Sequence, residues 1–96
     1  MSYPTGCFRQ AGGLRVRPVP ELETCIVFTS RRPKLYMLNL AAWLVFELCD
    51  GRGGEQIAAD YAAAAGADRD ASAIRAEIGT AIERLLGDGL IEHIAA

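Results

Sequence analysis

The feature that most constrains this chain is a single change of hydrophobic period at Asn39. Before it, apolar residues alternate with polar ones or run in short β-branched blocks. After it, they recur at spacings of three and four. Period two lines one face of a strand, and a period near 3.6 lines one face of a helix. A chain that switches once, early, is expected to place strands first and helices after. That order argues for an α+β domain.

The first 13 residues lack either period. Tyr3-Pro4-Thr5-Gly6 and Gly12-Gly13 break regular structure, so residues 1–13 read as a flexible tail and residues 14–96 as the domain. Leu14-Arg15-Val16-Arg17 alternates, and Pro18 and Pro20 end that strand or confine it to an edge. Thr24 to Thr29 is β-branched and aromatic, a good strand. Ser30-Arg31-Arg32-Pro33 is a polar turn, and Lys34 to Leu38 returns as the outer strand of a hairpin.

Asn39 is suited to cap the first helix, in which Leu40, Trp43, Leu44 and Leu48 share a face. The run Asp50-Gly51-Arg52-Gly53-Gly54 reads as its glycine-rich stop. A second helix spans about Glu55 to Ala65, with Ile57, Ala58, Tyr61 and Ala65 inward. The third carries the clearest signal: Ile74, Ile78, Ala81, Ile82, Leu85 and Leu86. Gly87-Asp88-Gly89 closes it, and Leu90 to Ile94 is a short extended end. The expected fold is therefore three N-terminal antiparallel strands packed on three helices, helix-turn-helix-like.

Charge is uneven. The net charge is -2, but residues 1–40 balance to +4 and residues 41–96 to -6. A basic N-terminal half suits an acidic ligand, and an acidic helical half would repel nucleic acid; the alternative is that both faces are merely solvated. The apolar stretch Leu40 to Phe46 is too short to span a bilayer, and no signal peptide is evident. The three cysteines, Cys7, Cys25 and Cys49, form no Cys-x-x-Cys pair, so a reducing cytoplasm with free thiols is expected. Cys25 and Cys49 sit among apolar neighbours and read as core.

Catalytic chemistry is thinly represented. The lone histidine, His93, reads as a surface residue, and no cluster has zinc-ligand spacing. Gly51 to Gly54 lacks the Lys-Ser/Thr and the preceding strand of a phosphate loop. The carboxylate pairs Glu47 with Asp50, Asp68 with Asp70, and Glu77 with Glu83 read as solvated faces and helix caps. The chain is not expected to be an enzyme.

The segment from Lys34 to Gly51 resembles the PqqD family pattern, in which a strand runs into apolar-Asn-x-x-Ala-x-x-apolar-apolar-x-apolar-apolar-x-Gly. Asn39, Ala42, Leu44 or Val45, Leu48 and Gly51 fill those positions. Glu55-Gln56-Ile57-Ala58 is similar to the family's second helix start. Ile82 to Ile91, with its Gly-Leu-Ile exit, is similar to its closing segment. The resemblance covers roughly residues 14–92.

This resemblance implies a winged-helix-like recognition element for ribosomally synthesised, post-translationally modified peptides. It implies a non-catalytic peptide chaperone that carries no cofactor and no metal. Its implied partners are the leader of a precursor peptide and a tailoring enzyme such as a radical SAM maturase, cyclase or protease, with neither nucleic acid nor membrane involved. The leader adds beside the third expected strand and lies against the third helix. The implied contact residues are Arg32, Lys34, Leu35, Tyr36, Met37 and Leu38 on one side, and Ile74, Arg75, Ile78 and Ile82 on the other.

An exposed edge offers unpaired backbone groups to an incoming peptide. Leu35 and Met37 share one face and Lys34, Tyr36 and Leu38 the other; one set must serve the core, and period two does not say which. Arg31, Arg32, Lys34 and Arg75 suit acidic leader residues, or are solvated charges. Ile78 and Ile82 suit a groove wall, or plain core packing. The same free edge can pair with a second copy to make a homodimer. The competing reading is a winged-helix DNA-binding regulator. Against it, the third helix sets Arg75 and Arg84 against Glu77 and Glu83, a balance of zero.

Overall fold

The computed structural model describes residues 6–30, 33–65 and 70–94. Among the described residues the fold is α+β, with six strands in two antiparallel sheets and three helices. The three expected strands are present as β2 (Leu14–Val19), β3 (Thr24–Thr29) and β4 (Lys34–Leu38). They form a meander in the order β2-β3-β4, with Pro18 on the edge strand opposite Cys25. A 3-10 turn, Pro20–Leu22, joins β2 to β3 and ends at Glu23 in the left-handed conformation, φ 50°.

The second sheet was not legible from the sequence. Its centre is β1 (Cys7–Gln10), flanked by β5 (Asp50–Gly53) and β6 (Ile91–Ile94) in the order β5-β1-β6. Residues 7–10 are thus not part of a loose tail. Phe8 is fully buried in the core cluster, and the Gln10 and Ala11 N–H groups donate to the Cys49 and Leu90 carbonyls at 2.9 and 3.0 Å. The expected glycine stop after the first helix is strand β5. It carries a bulge against β1, and Gly51 takes φ 104°, open to glycine without the Cβ clash other residues meet.

The helices fall where their periods put them. In α1 (Leu40–Leu48), the Asn39 side chain accepts from the Ala42 N–H at 2.9 Å, a cap worth about 1 kcal/mol. In α3 (Ala71–Gly87), Asp70 does the same for Ala73 at 3.1 Å. α3 ends in a Schellman motif. Gly89 stands at φ 75°, its N–H donates to Leu86, and the Leu90 N–H reaches back to Leu85. Leu85 and Leu90 are both fully buried, so the motif also seals the core. Helix α2 (Gly54–Ala65) buries Ile57 and Tyr61, and the Tyr61 hydroxyl donates to Glu77 of α3 at 2.7 Å.

The buried set joins Phe8, Val27, Leu38, Val45, Phe46, Ile57, Ile78, Ile82, Leu85 and Leu90 in one cluster. One expected face differs. In α1 the core side is Ala42, Val45 and Phe46, whereas Leu40, Trp43, Leu44 and Leu48 are exposed or half-buried. α1 is apolar nearly all round, so periodicity cannot choose its inner face. Among the described residues, no helix is long and apolar enough to cross a membrane.

Candidate functional site

Sheet edges expose unpaired N–H and C=O groups, and proteins blunt the edges they do not use. Among the described residues, three of the four sheet edges are blunted. β5 is a bulged four-residue strand with two glycines. β6 has four residues, with Glu92 and His93 exposed. β2 carries Pro18, which has no N–H to donate, and the exposed Arg15 and Arg17. β4 has neither proline nor bulge: Lys34 to Leu38 pairs in unbroken register with Thr29 to Cys25, and Leu35 and Met37 are 55% and 58% exposed.

Burial resolves the two faces of β4. Leu38 is fully buried and Tyr36 half-buried, with the Lys34 ammonium 5.6 Å from the Tyr36 ring centre. Leu35 and Met37 therefore point outward. There they continue two cross-strand rows, Arg15–Phe28–Leu35 and Arg17–Ile26–Met37. Sequence reasoning missed Phe28 and Ile26. The Thr24–Thr29 run is β-branched and aromatic on both faces, so it reads as buried on both. The alternation of Arg15 and Arg17 on its neighbour was the one available signal.

The other expected wall is arranged differently. Ile74, Ile78 and Ile82 lie in the core, where α3 packs on α1, α2 and β6, and it is α1 that lies against β3 and β4. Arg75 is exposed. Arg32, with Arg31, lies outside the described residues. The structure thus brings Lys34, Leu35, Tyr36, Met37 and Leu38 together on one edge and places the three isoleucines in the core.

Several other polar groups have structural partners. Arg52 grips Asp50 with two bonds of 2.7 Å and also binds Asp60, so β5 is tied to α2. This grip holds the Asp50 carboxyl below the usual carboxylate range and pushes the guanidinium further up. A phosphate at Gly51 to Gly54 would have to compete with both carboxylates. Arg9 pairs with Glu92 at 3.0 Å on the exposed side of the first sheet. Cys25 and Cys49 are fully buried, as expected. Burial, and then Asp50, pushes the Cys49 thiol up to about 12; burial and then Glu47 raises Cys25.

A second apolar surface lies along the uncovered side of α1. An open groove of about 740 Å³ is lined by Trp43, Leu44, Leu40, Pro18 and Tyr61, with Glu47 and Glu77 on its walls.

No curated protein and no solved structure gives a significant match. The family model described as Coenzyme PQQ synthesis protein D (PqqD) matches residues 24–91, a span from the start of β3 to the start of β6. That span holds β4, the Asn39 cap and all three helices, and the chain belongs to the PqqD family.

Proposed function

We propose that this chain is a non-catalytic peptide-binding subunit. It holds the leader of a ribosomally made precursor peptide along β4 and presents the remainder to a modifying enzyme. The observation that carries this reading is the contrast among edges: three are blunted and β4 is not. An extended peptide added there gains main-chain hydrogen bonds from the edge and specificity from alternate side chains. Membership of the PqqD family supports a role in peptide-derived cofactor or natural-product biosynthesis. We read α1 to α3, with β5 between the first two helices and β6 after the third, as a winged helix-turn-helix-like core put to this use.

The contact set is Lys34 to Leu38, with Arg32 and Arg75 as the cations for acidic leader residues. Leu38, Ile74, Ile78 and Ile82 are buried, so a peptide meets them only by displacing a neighbour. Lys34, Leu35, Tyr36 and Met37 carry the first contacts.

The test is a titration of the full chain with synthetic leader peptides encoded beside it, and in parallel with duplex DNA. Saturable leader binding at about micromolar Kd or tighter, without DNA binding, is expected. A Met37→Pro variant that stays folded by circular dichroism should lose that binding, because proline removes a donor and crowds the edge. Retained affinity would mean that the peptide binds elsewhere. Salt-sensitive DNA binding without leader binding would favour a regulator.

A further inference from the structure

The outward face of the β2-β3-β4 sheet is unusual for a small domain. Phe28, Leu35 and Met37 are 41%, 55% and 58% exposed, and the half-buried Ile26 stands opposite Met37 on the same face. Among the described residues no helix covers these four, because α1 lies on the opposite side of the sheet. Contiguous exposed apolar side chains of this kind mark interaction surfaces. Arg15 and Arg17 stand directly opposite Phe28 and Ile26. Arg9, Arg52 and Arg84 are each engaged by a carboxylate, whereas Arg15 and Arg17 form no ion pair among the described residues.

We propose that this face, Ile26, Phe28, Leu35 and Met37 with Arg15 and Arg17 beside them, docks an acid-rimmed apolar surface of the enzyme that modifies the bound peptide. The inference rests on the peptide-binding reading and adds the second partner's site. An apolar centre bordered by arginines is the composition of a protein interface, and two unengaged cations select carboxylates on the partner. Nucleic acid fits less well. Phe28 is the one aromatic ring in the two rows, and Ile26, Leu35 and Met37 offer no flat face for a base. A second copy docked face to face would bring its own arginines, not carboxylates, to this surface.

The arrangement also couples the two partners. A peptide strand beside β4 would lie about 4.8 Å from it and continue both rows with its own alternate side chains. The loaded chain therefore presents a wider face than the empty one. The enzyme binds the loaded form more tightly, and by linkage the enzyme tightens the peptide by the same factor.

The experiment uses the full chain, its leader peptide and the purified modifying enzyme encoded beside it. Two variants are compared with the wild type: Arg15→Glu with Arg17→Glu, and Phe28→Ser. All three positions are on β2 or β3, away from the β4 edge, and the exposed arginines give a charge variant that keeps the core. The expected result is unchanged leader affinity with enzyme affinity reduced about tenfold or more. Raising salt should weaken the wild-type enzyme complex and partly restore the charge-reversed one, whose glutamates face the partner's carboxylates.

Enzyme affinity that is absent in the wild type, or unchanged in both folded variants, overturns the proposal. Loss of a wild-type dimer in Phe28→Ser by sedimentation would reassign the face to self-association. Binding to a single-stranded oligonucleotide or to phosphatidylserine vesicles that Phe28→Ser abolishes, with enzyme binding intact, would reassign it to those ligands. Failure of the wild type to bind leader peptide strikes the peptide-binding reading instead, and is seen in a separate titration.

Discussion

The two sheets have three strands each and serve different ends. The β5-β1-β6 sheet joins three segments far apart in sequence, and its strands have four residues each. Its exposed groups are occupied: Arg9 by Glu92, and Arg52 by Asp50 and Asp60. The β2-β3-β4 sheet is a local meander of five- and six-residue strands with an apolar outer face and an open edge. The first sheet closes the domain and the second leaves backbone and apolar groups unsatisfied. A small domain with a limited core keeps such a surface when a partner covers it.

The largest effect that would test this contrast comes from two phenylalanines. Phe8→Ala, at the buried centre of the first sheet, should cost about 4 kcal/mol in urea unfolding, since it leaves a cavity in the core. Phe28→Ala, on the outer face of the second, should cost about 1 kcal/mol or less. Equal losses would mean that the outer face is not solvent-facing in solution.

Next in size is an alkaline effect at Cys49, beside β5. Its thiol is held up to about 12 in the fold, against 9.0 for the free group. The folded state thus keeps the proton longer, and the stability this contributes is complete below pH 9. It is lost as pH rises toward 12, by about 1.4 kcal/mol per pH unit. Urea midpoints of the wild type, relative to Cys49→Ala, should fall over that window. A flat difference would show that the thiol is not desolvated. Neither Cys25 nor Cys49 should react with a thiol reagent near neutral pH until the chain unfolds.

Smaller still is the cap that joins the open edge to α1. Asn39→Ala should cost about 1 kcal/mol, and Asn39→Asp should recover most of it. The smallest effect is at the closed sheet's surface. Arg9→Ala removes an exposed pair with Glu92 and should change stability by about 0.5 kcal/mol or less. A larger loss would mean that β1 depends on charge as well as on Phe8.

Periodicity made β2, β3, β4 and the three helices readable, because each carries its own pattern over enough residues to show a period. The candidate edge was readable for the same reason: Lys34 to Leu38 follows a polar turn and precedes a capped helix. β1 and β5 were not. Cys7–Gln10 is too short for a period and is flanked by breakers, while Asp50–Gly53 has the composition of a turn. Both are strands only because residues more than 40 positions apart come together, Cys7 opposite Gly53 and Ile94.

By itself, then, the sequence determined the order of β2, β3, β4 and the three helices, the α+β class, the helix caps and the strand that carries the free edge. These are local matters of period, propensity and capping, decided within a few residues. Only the tertiary structure decided which face of β4 looks outward, which side of α1 meets the core, and that the N-terminal segment is a central strand. A period-two strand has two equivalent faces, and an all-apolar helix has no preferred side. The choice falls to whatever packs against them, here α1 against β3 and β4 on one side and α3 against α1 on the other.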